Sequence, residues 1–177
     1  MTEKYVNVGT INLSNTNKVI VIDPCYNNDH LQTLGVKLSP LKGTYNAYIQ
    51  RENCGEWGVR VKNLAVVHKD YDINILESDN YDLSGFACVD SGTMSIFDLV
   101  QYRKYHSNKP ENTELNDEWY DLNVLPWCGD TDNYLSKDNG IISVSGYGDG
   151  SYPVYSYYDE TNNLIGIRVC FIEDDED

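Results

Sequence analysis

Two short stretches concentrate side chains capable of chemistry. Asp23-Pro24-Cys25-Tyr26 sets a thiol two positions after a carboxylate, at the end of an apolar run, and Asp90-Ser91-Gly92-Thr93 sets a carboxylate in a tight turn. Cys25 could act as a nucleophile if a neighbour lowered its pKa from about 8.5. No basic pair flanks it, and the nearest histidine, His30, is five residues away. Cys25 therefore reads as a small core filler and Pro24 as a strand exit. Arg60 and Arg168 each have apolar neighbours on both sides. They suit ion pairs with Asp23, Asp90 or Asp98, or a cleft shared by an anionic ligand.

Val89-Asp90-Ser91-Gly92-Thr93 resembles one arm of the catalytic loop of aspartic proteases, in which two carboxylates about 3 Å apart share one proton. A second arm is missing from the matching place earlier in the chain, which reads Leu13-Ser14-Asn15-Thr16 without an acid. A catalytic dyad would then need one Asp90 from each of two chains. The simpler expectation is a turn, with Asp and Ser bonding the backbone and Gly permitting the bend.

Other groupings fall short of known chemistry. His30, His68 and His106 stand apart, without the spacing of a metal site. The stretch from Asp130 fails as a calcium loop, with Tyr134 at position five, Leu135 in place of Gly, and Ile141 in place of the closing Glu. Gly146-Tyr147-Gly148-Asp149-Gly150 lacks the Lys and Ser/Thr of a phosphate loop and precedes a strand. Neither a metal nor a cofactor is expected.

These residues must be positioned by a β-rich scaffold. "GTYNAYIQRENCGEWGVRV" from Gly43 and "GSYPVYSYYDETNNLIGIRV" from Gly150 share Gly, Thr or Ser, Tyr, a second Tyr three positions on, and a final Gly-Val/Ile-Arg-Val. Each reads as a hairpin. The segments ahead of them repeat more faintly, ending in Asp23 and Asp98, 75 positions apart, whereas the hairpins are 107 apart. An insertion near 99–138, of helix-compatible composition, accounts for the difference. Strands are expected at 5–12, 18–23, 44–50, 57–67, 72–76, 86–90, 93–97, 141–145, 151–158 and 164–172. The whole forms one antiparallel sandwich or barrel over 1–172, built from pseudo-repeats at about 10–68 and 86–172, with an acidic tail at 173–177.

The charge narrows the partners. With 28 acidic against 13 basic residues the chain carries −15, which repels nucleic-acid phosphates and anionic lipid and favours a basic partner. The start of the chain lacks the pattern of a signal peptide, and no run approaches the roughly 18 apolar residues that span a bilayer. Five scattered cysteines without a Cys-x-x-Cys pair fit a reducing cytoplasm.

Ile20 to Tyr26 ("IVIDPCY"), Val89 to Asp98 ("VDSGTMSIFD") and Gly146 to Val169 are similar to motifs of a group of uncharacterised bacterial and phage proteins. In that group a V-D-S-G phrase and D-P-C-Y precede a terminal G-D-G-x-Y-P-V-Y hairpin. The resemblance implies a β fold and a bacterial or phage setting. Here the two phrases lie in separate halves of the chain.

The expectation that follows is a non-catalytic cytoplasmic accessory protein binding a protein partner, with inhibition of a host system as one form of that role. Exposed aromatics would anchor the partner inside an acidic rim, with Trp57, Trp119 and Trp127 as candidates. The candidate contact residues are Asp23, Tyr26, Arg60, Asp90, Trp127, Tyr147, Asp149 and Arg168. The alternative is a binder of a small anionic ligand, such as a nucleotide signal, between Arg60 and Arg168. An aspartic-protease-like or cysteine hydrolase ranks third.

Overall fold

The computed structural model describes residues 2–27, 31–106, 124, 134–137 and 139–173. The strands are β1 (Val6–Asn12), β2 (Val19–Ile22), β3 (Val36–Leu38), β4 (Thr44–Asn53), β5 (Val59–His68), β6 (Tyr81–Val89), β7 (Thr93–Asp98), β8 (Tyr134–Lys137), β9 (Gly140–Val144), β10 (Gly150–Tyr158) and β11 (Leu164–Cys170). One helix, α1 (Leu99–His106), follows β7. No helix among the described residues is long and apolar enough to cross a membrane.

The strands form two antiparallel sheets in a sandwich-like arrangement. The first runs β1-β4-β5-β11-β10-β6, and the second β3-β2-β7-β9-β8. Alternation in β4 sends Tyr45, Ala47 and Ile49 into the space between the sheets. Val19 and Val21 of β2 meet them from the other side, together with Met94 and Ile96 of β7. β2 is buried on both faces, because Ile20 and Ile22 turn outward under α1, where they pack with Phe97, Leu99 and Tyr102. This double burial explains why "VIVI" is continuously apolar and does not alternate.

The outer face of the first sheet has its own cover. Ala65, Val67, Leu76 and Tyr157 pack there with Tyr5, Tyr48, Tyr71 and Tyr155. Leu76 belongs to a 3-10 turn at Ile73–Glu77, within the stretch where the sequence predicts a strand at 72–76. The Asp72 side chain accepts the Asn74 N–H at 2.9 Å and starts that turn, so local capping overrides the apolar alternation.

The strand order is symmetric about the β5–β11 boundary. The β4–β5 and β10–β11 hairpins lie side by side, with β1 and β6 at opposite edges, and β2 pairs with β7 at the centre of the second sheet. Strands β3 and β8 lie outside the strands expected from the sequence, and β6 begins at Tyr81, ahead of the expected 86–90. A second helix in the insertion, the Asp130 stretch up to 133, and residues 174–177 of the tail lie outside the described residues.

Candidate functional site

The two reactive-looking motifs meet in space. Asp23, fully buried, closes β2, and its carboxylate receives four donors. Oδ1 accepts the Cys25 N–H at 2.8 Å and the Ser91 hydroxyl at 2.7 Å. Oδ2 accepts the N–H groups of Asp90 at 2.8 Å and Ser91 at 2.7 Å. Pro24 has no N–H to offer, so the first backbone donor after Asp23 is Cys25. Gly92, at φ 70°, lets the 89–92 turn present two successive N–H groups to one oxygen. A buried carboxylate is tolerable when charge-assisted hydrogen bonds replace its water.

The opposite end of the β2–β7 ribbon repeats this arrangement. Asp98 closes β7, and its carboxylate accepts the Thr16 hydroxyl from the turn that opens β2. It also accepts the Gln101 N–H at 2.9 Å, which caps the first turn of α1. Each strand of the ribbon thus ends in an aspartate that holds the turn leading into the other. No arginine takes part in either contact, contrary to the expected Arg60 and Arg168 pairing. Backbone N–H and hydroxyl donors occupy both carboxylates instead.

This geometry gives Asp90 and Cys25 structural work. Asp90 is exposed, and its carboxylate accepts a hydrogen bond from the Tyr26 hydroxyl. Burial, that bond and the nearby charges push the Tyr26 hydroxyl far above its ordinary range. Burial, then the Asp23 charge, likewise push the Cys25 thiol far up, the reverse of what a nucleophile needs. Asp90 thus meets Asp23 through its backbone N–H, which the Asp23 carboxylate accepts. Tyr102 in α1 donates its hydroxyl to the Tyr26 carbonyl at 2.6 Å and pins the segment from the helix side.

Arg60 and Arg168 stand apart along the first sheet. Arg168 lies opposite Ala65, five residues along β5 from Arg60, a separation of about 16 Å. Its guanidinium stacks on Tyr155 and Tyr157, 5.0 and 5.6 Å from the ring centroids. Burial opposes its charge, and the phenols of Tyr157 and Tyr5 support it. Its Nε is buried without a partner among the described residues.

Arg60 belongs to a different constellation. Its Nε donates to the Trp57 carbonyl at 2.9 Å, in the bend of the β4–β5 hairpin. The Trp57 ring meets Tyr147 edge-on, with centroids 6.4 Å apart, and the two side chains are 68% and 57% exposed. Tyr147 comes from the glycine-rich loop before β10, where Gly146 and Gly148 take positive φ. The Cys54 thiol beside it is the main cause of the raised pKa of its hydroxyl. A hollow of about 520 Å³ beside it is lined by Glu52, Asn53, Cys54, Tyr147, Phe171, Ile172 and Glu173. Glu52 is held by Lys62 at 2.9 Å, whereas Glu56, Asp149 and Glu173 form no ion pair among the described residues. Trp119 and Trp127 lie outside the described residues.

A second exposed apolar row was not foreseen. Tyr81, Leu83 and Phe86 are 45%, 52% and 54% exposed on β6, the edge strand that among the described residues pairs only with β10. The alternation Tyr81-Asp82-Leu83 was its sequence signal, interrupted by Gly85.

The chain belongs to a family described as a protein of unknown function (DUF4241), whose family model matches residues 13–169. It is also similar to the DNA-directed RNA polymerase 18 kDa subunit of Monkeypox virus, 25% identical over 144 residues, covering 81% of this chain and 79% of that one. No solved structure matches it.

Proposed function

We propose that this member of the family is a non-catalytic binding module that takes a basic protein partner on the Trp57–Tyr147 platform. The observation that carries the reading is the exposure of two large aromatic rings against each other beside unpaired carboxylates. Exposed Trp and Tyr are the side chains that most often anchor a protein interface. Glu56, Asp149 and Glu173 near them would meet lysine or arginine on the partner, in keeping with a net charge of −15. The poxvirus relative is by its name a subunit, one chain of a larger assembly, and that supports a partner-binding role. A bacterial or phage setting, suggested by the V-D-S-G and D-P-C-Y phrases, and a reducing cytoplasm, which fits the four cysteines that are free among the described residues, belong to the same proposal. Copying of one β unit would account for the symmetric strand order.

Affinity capture with three proteins of matched thermal midpoint tests it. Wild type and a Leu83→Glu/Phe86→Glu variant are expected to retain one basic partner, and Trp57→Ala/Tyr147→Ala to lose it. Raising salt should release the complex. Equal retention by the platform variant would overturn the assignment, and loss only at β6 would move the interface to that edge.

A further inference from the structure

The distribution of charge points to a second site of opposite character. Residues 30–51 contain no Asp or Glu, in a chain with 28 of them, yet include Lys37, Lys42 and Arg51. The fold turns part of this stretch into the wall of a hollow of about 640 Å³ between the end of β3 and the β10–β11 turn. Lys37 and Lys42 line it, with Asn17, Ser39, Asn162 and Asn163 among the polar neighbours. Lys18 reaches the rim and donates its Nζ to the Ser39 hydroxyl at 2.7 Å. Neither Lys37 nor Lys42 forms an ion pair among the described residues.

The nearest acids are turned elsewhere. Asp159 accepts hydrogen bonds from Thr161, Asn163 and the Tyr71 hydroxyl, and with Glu160 it lines a separate hollow on the other side of Tyr158. Asp98 is occupied by Thr16 and Gln101. Among the described residues the hollow thus gathers two ammonium groups, the Asn17 and Asn162 amides and the Ser39 hydroxyl without a lining carboxylate, a donor-rich set suited to an oxygen-rich anion, while the Asn163 amide is engaged by Asp159 and Thr161. Its volume admits a group the size of a diphosphate.

We infer that this hollow is a binding site for a small anion bearing two or more phosphate groups, gripped by Lys37 and Lys42. The site is independent of the Trp57–Tyr147 platform and stands or falls without it.

Isothermal titration of the full chain with inorganic pyrophosphate, at low and at high salt, tests the inference. Wild type should show saturable one-to-one binding that weakens as salt rises. Lys37→Glu/Lys42→Glu, with both side chains exposed and the thermal midpoint retained, should bind at least about tenfold more weakly. A control of equal charge change, Lys4→Glu/Arg103→Glu, should stay within about twofold of wild type. Absence of saturable binding, or equal weakening in the control, would overturn the site in favour of bulk electrostatics. Binding of a nucleoside triphosphate tighter than that of pyrophosphate would extend it to nucleotides.

Discussion

At the scale of single residues, the protein shows how reactive-looking side chains become scaffold. Asp23 is held by four donors, and Asn at that position would turn an amide N–H₂ toward some of them. Asp23→Asn should therefore lose about 3 kcal/mol in denaturant unfolding, whereas Asp90→Ala, at an exposed carboxylate, should lose under about 1 kcal/mol. Equal losses would mean that Asp90, not Asp23, is the fixed point. Cys25 follows the same logic, since burial and the Asp23 charge keep its thiol protonated. In native protein at mildly alkaline pH it should resist alkylation, and denaturation should expose it; rapid native labelling would restore the nucleophile reading. None of this partnership was visible in sequence. "IDPCY" was legible as a strand exit and "VDSGT" as a turn, but their contact depends on β2 lying beside β7, with Asp23 and Asp90 67 positions apart.

At the scale of elements, the hairpins were legible and the short strands were not. β4 alternates half-buried and buried positions over its first six residues, and β10, which does not alternate, shares its spaced tyrosines and its turn with β4. β3 has three residues and β8 four, too few for a pattern, and both exist because β2 and β9 offer them a ladder. Trp57 was legible as a candidate exposed aromatic, but its place in the hairpin bend, ahead of the strand expected from 57, and its contact with Tyr147 were not, because a separate loop supplies the second ring. Packing between β7 and β9 yields a further prediction. Gly140 lies opposite Phe97, and an added Cβ would run into that ring. Gly140→Ala should cost about 2 kcal/mol through overpacking, and a companion Phe97→Leu change should recover part of it. An unchanged denaturation midpoint in Gly140→Ala would show that β9 shifts freely, against a tightly packed second sheet.

At the scale of the whole molecule, a set of buried tyrosines sets the alkaline limit of the fold. Burial is the first cause raising the hydroxyls of Tyr26, Tyr45, Tyr102 and Tyr157 above the ordinary 10.0. The folded chain keeps these protons where the unfolded chain releases them, so stability falls as pH rises above about 10. Each such tyrosine contributes a loss of about 1.4 kcal/mol per pH unit until its folded pKa is reached. Tyrosinate absorbance for these residues should therefore appear together with unfolding. A titration complete before any loss of β structure would contradict their burial. The acid side behaves oppositely: Lys62 holds the Glu52 carboxylate below its ordinary 4.5, and its contribution, present above that pH, is lost as pH falls below it.

The binding role is tested most directly by the dissociation constant of the captured partner for wild type and for Trp57→Ala, each at low and high salt. The platform reading predicts a weakening of at least about thirtyfold on loss of the indole, on top of a wild-type affinity that declines as salt increases. A constant unchanged by Trp57→Ala would contradict it.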